Sequence, residues 1–168
     1  MNTSHPIPRR RALMQLAALG AFGPAGLSAL IQDALAKGDM PAASGIYDLS
    51  GTATVNGQAA KAGTPVKSGD KVVTAARSHA VVVVGKDAYL LRAGTNVTFE
   101  ADPKRTDALS AVVIATGKVL SVFAKRAEGA VSIKPPNATV GIRGTGAYIE
   151  VHEGRTYFCL CYGKADVG

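Results

Sequence analysis

The residues best suited to chemistry lie near the C-terminal end, in Cys159-Leu160-Cys161. In an extended strand both thiols point to one face, about 7 Å apart at two strand rises. A direct disulfide needs closer Cα atoms, so the strand would have to bend, giving a strained and easily reduced bond. Two thiolates can also hold a soft metal such as Zn or Cu(I), given further ligands. His152 is the nearest in sequence. With Glu153-Gly154 as a two-residue turn, His152 pairs with Arg155, Glu150 with Tyr157, Tyr148 with Cys159 and Gly146 with Cys161. These side chains share a face, but His152 then sits roughly 13 Å from Cys159, too far to share a metal. Structural thiols and attachment to a partner remain as further readings of the pair.

A second candidate is Arg143, set among Gly141, Gly144 and Gly146. An exposed loop arginine can bind carboxylate or phosphate. A phosphate-cradling loop would need a helix directly after it, whereas Ala147 to Val151 reads as a strand. Together with Tyr148, Glu150 and Tyr157, Arg143 forms the expected binding set. Catalytic residues are not expected. His79 adjoins Ser78, but neighbouring strand residues face opposite ways. Nothing selects a carboxylate pair from Glu100, Asp102 and Glu150. The expectation is therefore a protein that is not an enzyme and carries no cofactor, with a metal at Cys159 and Cys161 as the alternative.

The elements that must carry these residues are short strands. The 168 residues include 19 glycines, no Trp and 47% hydrophobic residues. That composition supports a folded core built from Val, Ala, Leu and Ile. Asn56-Gly57 follows Thr52-Ala-Thr-Val55 and marks a type I′ hairpin turn. Ala80 to Val84 is apolar throughout, as in a strand buried on both faces. Val97 and Phe99 alternate with Asn96, Thr98 and Glu100 in a half-buried strand. Asp102 to Thr106 reads as a polar loop. Ala111 to Ala115 and Lys118 to Phe123 read as strands separated by a turn at Gly117. The whole gives about eleven or twelve strands of four to seven residues, an all-β compact sandwich or roll, with a short β-solenoid as the alternative.

The N-terminal segment has another character. Arg9, Arg10 and Arg11 precede a stretch without charge from Ala12 to Ile31, and Ala34-Leu35-Ala36 offers a small-x-small cleavage site. That order is the plan of a signal peptide, and the arginine pair resembles the twin-arginine type. The expected organisation is a signal peptide at 1–36 cleaved after Ala36, a linker at 37–45 and a β domain at 46–168. The expected location is periplasmic or secreted. An uncleaved anchor through residues 12–31 in the inner membrane is the alternative. The mature chain is not expected to span the membrane.

The formal net charge is +7. From Lys37 onward, 16 basic and 11 acidic residues leave +5, and the basic residues are scattered. A nucleic-acid binder gathers its charge into a stripe, so no nucleic-acid partner is expected.

Several phrases in order resemble the FecR domain family. They are Gly51-x-Ala-x-Val-Asn-Gly57, Ala60-x-x-Gly63-x-x-Val66-x-x-Gly69-Asp70-x-Val72-x-Thr74, Leu90-Leu91-Arg92, Gly117-Lys-Val-Leu120, and Val140-Gly-Ile-Arg-Gly-Thr-Gly-Ala-Tyr-Ile-Glu-Val151. The resemblance spans residues 46 to 152. It implies an extracytoplasmic β-rich domain of a family whose founding members sense a siderophore receptor and signal to a cytoplasmic anti-sigma segment. Eleven residues precede the apolar stretch here, too few for such a segment. The expected role is a non-catalytic binding or signalling-accessory module whose partner is an envelope protein or polymer. A metal or redox protein using Cys159 and Cys161 is the alternative.

Overall fold

The structure, a computed structural model, describes residues 43–124, 131–142 and 146–168. The expected signal, with Arg9, Arg10, Arg11, Ala34 and Ala36, lies outside the described residues, as does Arg143. The described residues are all-β. They contain no helix long and apolar enough to cross a membrane.

Turn chemistry sets the first elements. After β1 (Gly45–Ser50), β2 (Ala53–Val55) turns through Asn56-Gly57 into β3 (Gln58–Ala60). Both turn residues have positive φ, 52° and 81°, as a type I′ turn requires. β4 (Lys71–Thr74), β5 (His79–Val84), β6 (Asp87–Leu91) and β7 (Asn96–Asp102) follow. The run from Ala80 to Val84 is buried at every position. Asp87 is the buried first residue of β6. Its carboxylate accepts from the Ala124 amide at 3.1 Å and from the Tyr89 hydroxyl at 3.4 Å.

β8 (Arg105–Val122) departs most from the sequence expectation. It is one strand of 18 residues, not two strands separated by a turn. Gly117 bends it with φ 100° without ending it. The bend is held by Thr95, whose hydroxyl donates to the Lys118 carbonyl at 3.2 Å and accepts from the Lys118 amide at 3.1 Å. A Cβ at Gly117 would lie 2.8 Å from the Thr95 Cβ, so this close approach also requires glycine. The loop expected at Asp102 to Thr106 is tighter than read. Asp102 pairs with Arg105, and its side chain accepts from the Lys104 amide at 2.8 Å, an Asx-type closure.

The remaining strands are β9 (Val131–Lys134), β10 (Val140–Ile142), β11 (Gly146–His152), β12 (Arg155–Tyr162) and β13 (Ala165–Val167). The described residues thus form 13 strands, where the sequence spacing pointed to about eleven or twelve. Because β8 is bent, it belongs to two hydrogen-bonded layers. Its C-terminal half lies in the order β1-β5-β6-β8-β11-β12. Its N-terminal half lies in the order β3-β2-β4-β7-β8-β9-β10-β13. The result is an open, curled sheet in the form of a half-barrel. Among the described pairings only β8 with β9 is parallel. The stacked parallel ladders of a β-solenoid are not what forms.

The core is built from the buried faces of both layers. Ile46, Val72, Val82, Leu91, Val97, Ile114, Val119, Ile133 and Ile149 are all at most 1% exposed. Tyr89 packs between Phe99, with ring centroids 4.9 Å apart, and Phe123, at 5.8 Å edge-to-face. Burial of such side chains contributes about 1.5–3 kcal/mol each.

Candidate functional site

The site grows from the β11–β12 hairpin. Its turn residues Glu153 and Gly154 have φ of 48° and 72°, again type I′. His152 pairs with Arg155, Glu150 with Tyr157 and Tyr148 with Cys159, the register expected from sequence. Alternation then divides β11 into two faces. Ala147, Ile149 and Val151 are buried in the core, and Tyr148, Glu150 and His152 line the outer face.

On its other side β11 pairs with the C-terminal half of β8. Leu120 lies opposite Tyr148 and Lys118 opposite Glu150. Two rows therefore cross the outer face, Leu120–Tyr148–Cys159 and Lys118–Glu150–Tyr157. The charged row is closely joined. Lys118 Nζ stands 3.0 Å from Glu150 Oε1, and the Tyr148 hydroxyl donates to Glu150 Oε2 at 3.0 Å. Tyr157 meets Tyr148 edge-to-face at 6.3 Å and is 60% exposed.

This arrangement shifts the titration of all three polar groups. Hydrogen bonds from Lys118 and then Tyr148 hold the Glu150 carboxyl below its usual range. The hydrogen bond to Glu150, then its charge, raises the Lys118 ammonium. Burial, then the hydrogen bond to Glu150, raises the Tyr148 hydroxyl. Beside them a shallow cleft of about 260 Å³ opens, lined by Gly94, Gly117, Lys118, Glu150, His152 and Glu153. Thr116, beside Gly117 in β8, also lines it. The site thus offers a cation, a carboxylate, the exposed Tyr157 ring and the half-buried Tyr148 ring on one sheet face, a set suited to polar and stacking contacts.

Of the expected binding residues, the structure brings Tyr148, Glu150 and Tyr157 together. Sequence reasoning missed Lys118. The residue stands in a strand that was read, but its place beside Glu150 depends on β8 and β11 being neighbours, a pairing across some thirty residues with no local signal.

Cys159 and Cys161 are free and exposed. Cys159 faces Tyr148 as expected, but Cys161 does not face Gly146. The ladder shifts by one residue there, and Tyr162 takes that position. This placement needs a glycine at 146. The Tyr162 ring lies over Gly146, and a Cβ at Gly146 would come within 2.9 Å of its Cδ1. Cys161 becomes the extra residue of a bulge, which breaks the simple alternation assumed for the two thiols. Among the described residues no group of three His, Cys, Asp or Glu side chains comes together as a metal site.

Comparison with family models, with curated proteins and with solved structures finds no match to this chain.

Proposed function

We propose that this chain is a FecR-like, non-catalytic binding module that acts beyond the cytoplasmic membrane, with an envelope protein or polymer as its partner. Its contact surface is the outer face formed by Lys118, Tyr148, Glu150 and Tyr157. The observation that carries this reading is the exposed Tyr157 ring beside the hydrogen-bonded Lys118–Glu150–Tyr148 network on one sheet face. Aromatic anchors ringed by fixed polar groups are the usual energetic centres of recognition surfaces. The FecR resemblance supports the same reading, because its last phrase runs along β11 and its Gly117-Lys-Val-Leu phrase supplies Lys118.

Two measurements test it. The mass of the protein recovered from the periplasm of expressing cells should begin at Lys37. Retention of the full-length chain in the cytosol would sink the export half of the proposal. The purified protein should co-sediment with envelope fractions, either peptidoglycan or outer membrane. Tyr157→Ala should weaken the binding constant about tenfold, the loss of one aromatic anchor of about 1.4 kcal/mol. Binding that is indifferent to Tyr157→Ala and Glu150→Gln would remove this face from consideration. Binding lost only in the Cys159→Ser, Cys161→Ser double variant would favour the metal or redox alternative.

A further inference from the structure

The strands paired on one side only, among the described residues, are β1, β3, β12 and β13. Such edges present unpaired N–H and C=O groups to other chains, and folded proteins usually blunt them. Three are blunted here. β1 carries a bulge between Ile46 and Asp48, and the loop beside it covers its outer side. The Ile46 amide donates to the Thr64 carbonyl at 2.9 Å, and the Gly63 amide donates to the Ile46 carbonyl at 2.7 Å. β3 and β13 are three residues each, and β13 carries Asp166. β12 is the least protected: its bulge falls only at Cys161, near its end, and Asn137 meets only its start, accepting from the Thr156 hydroxyl. It runs for 8 residues, and from Thr156 to Tyr162 it has no charged residue and no proline. Tyr157, Leu160 and Tyr162 stand 60%, 38% and 53% exposed along it.

The hairpin fixes which backbone groups point outward. A two-residue turn closes with a hydrogen bond from the Arg155 amide to the His152 carbonyl, so His152 and Arg155 form a hydrogen-bonded pair. Such pairs alternate with non-hydrogen-bonded ones along an antiparallel ladder. Arg155, Tyr157 and Cys159 therefore direct their backbone groups to β11. Thr156, Phe158 and Leu160 direct theirs to the open edge.

We infer that this edge pairs with the β12 edge of a second copy of the chain, antiparallel, about a two-fold axis at Phe158. A second copy is favoured because β12 is the one edge of this length left open among the described strands, and the pairing is self-complementary. The bulge at Cys161 selects the register. With the axis at Phe158, Thr156 faces Leu160 of the second copy, Phe158 faces Phe158, and every outward group before the bulge finds a partner. Moving the axis toward Cys159 would run the ladder into the bulge on both chains. No like charges meet, since Arg155 faces Cys161. Tyr157 of each copy faces Cys159 of the other in a non-hydrogen-bonded pair, with Cα atoms about 4.5 Å apart, inside the range a disulfide accepts.

This goes beyond the binding module proposed above and does not depend on its partner. Light scattering on the full-length chain across the micromolar range should show a monomer–dimer equilibrium. Leu160→Pro removes an outward donor without touching the β11 ladder and should shift the equilibrium at least tenfold toward monomer. Cross-linking tests the register independently of that variant. Tyr157→Cys with Cys161→Ser, treated with glutathione disulfide, should give a covalent dimer. Two protein thiols are oxidised to one disulfide as one glutathione disulfide is reduced to two glutathione thiols, which take the protons. Peptide mapping should place the link between residues 157 and 159 of different copies. Arg155→Cys with Cys161→Ser should not link, because in this register position 155 faces position 161. A chain monomeric at every concentration, or a dimer unaffected by a folded Leu160→Pro, overturns the proposal. A link that maps from position 155 to Cys159 overturns the register.

Discussion

β1 and β12 close the same sheet at opposite ends, yet they are built on opposite plans. β1 sends Ile46 into the core at 1% exposure, kinks at a bulge and is covered by the Gly63–Thr64 loop. β12 rests on β11 with Phe158 only partly buried, and no described strand pairs with its other side. One end is finished as part of the fold. The other is held by its ladder to β11, its hairpin turn, the hydrogen bond from the Thr156 hydroxyl to Asn137, and the Tyr162 ring over Gly146. Core burial is concentrated at the β1 end of this sheet and exposed aromatic surface at the β12 end.

Matched truncations give the widest contrast. Ile46→Ala should destabilise the protein by about 2–5 kcal/mol, the loss of a buried side chain plus the cavity left behind. Leu160→Ala on β12 should stay within about half a kcal/mol of the wild type. Urea denaturation measures both, and similar values would erase the distinction. Gly51→Ala at the end of β1 comes next. Gly51 has φ 84°, and a new Cβ would lie 2.9 Å from the Ser78 Cβ. Strain of this kind costs about 1–3 kcal/mol. The counterpart Gly154→Ala at the β12 turn meets open space and should cost less, since only its φ of 72° is strained. Between the edges, Ser121 is buried with no hydrogen-bond partner for its hydroxyl among the described residues. Ser121→Ala should raise stability by about 1 kcal/mol, seen as a higher urea midpoint at unchanged slope.

The smallest effect is electrostatic. Glu150 has its carboxyl pKa lowered by Lys118 and Tyr148. A lowered folded-state pKa contributes stability that is present above the unfolded value and lost as pH falls through the folded one. This contribution should fade on the acid side of the ordinary carboxylate range. Lys118→Ala should move the Glu150 titration upward, as NMR of its side-chain carboxyl carbon would report. An unmoved Glu150 would mean that Lys118 is not its principal partner in solution.

Local chemistry made much of this legible. Asn56-Gly57 and Glu153-Gly154 each announce a turn that needs positive φ, and the alternation beyond each turn fixes a register. That is why Tyr148, Glu150, Tyr157 and Cys159 could be set on one face from sequence. What stayed hidden depends on distant partners. Gly117 reads as a turn because nothing local shows Thr95 bonding across the bend. The bulge at Cys161 sets the Tyr162 ring over Gly146, a contact no local sequence pattern shows. The charge network was incomplete without Lys118, which only the pairing of β8 with β11 supplies.

The bend in β8 has a consequence for how the molecule comes apart. A strand shared by both layers cannot leave one without tearing the other, so neither half can open alone as a separate foldon. Amide protons of Val112, Ile114 and Val119, on either side of Gly117, should exchange with deuterium at one common slow rate set by global unfolding. Those of Thr156, Phe158 and Leu160 should exchange through local opening in the monomer, orders of magnitude sooner.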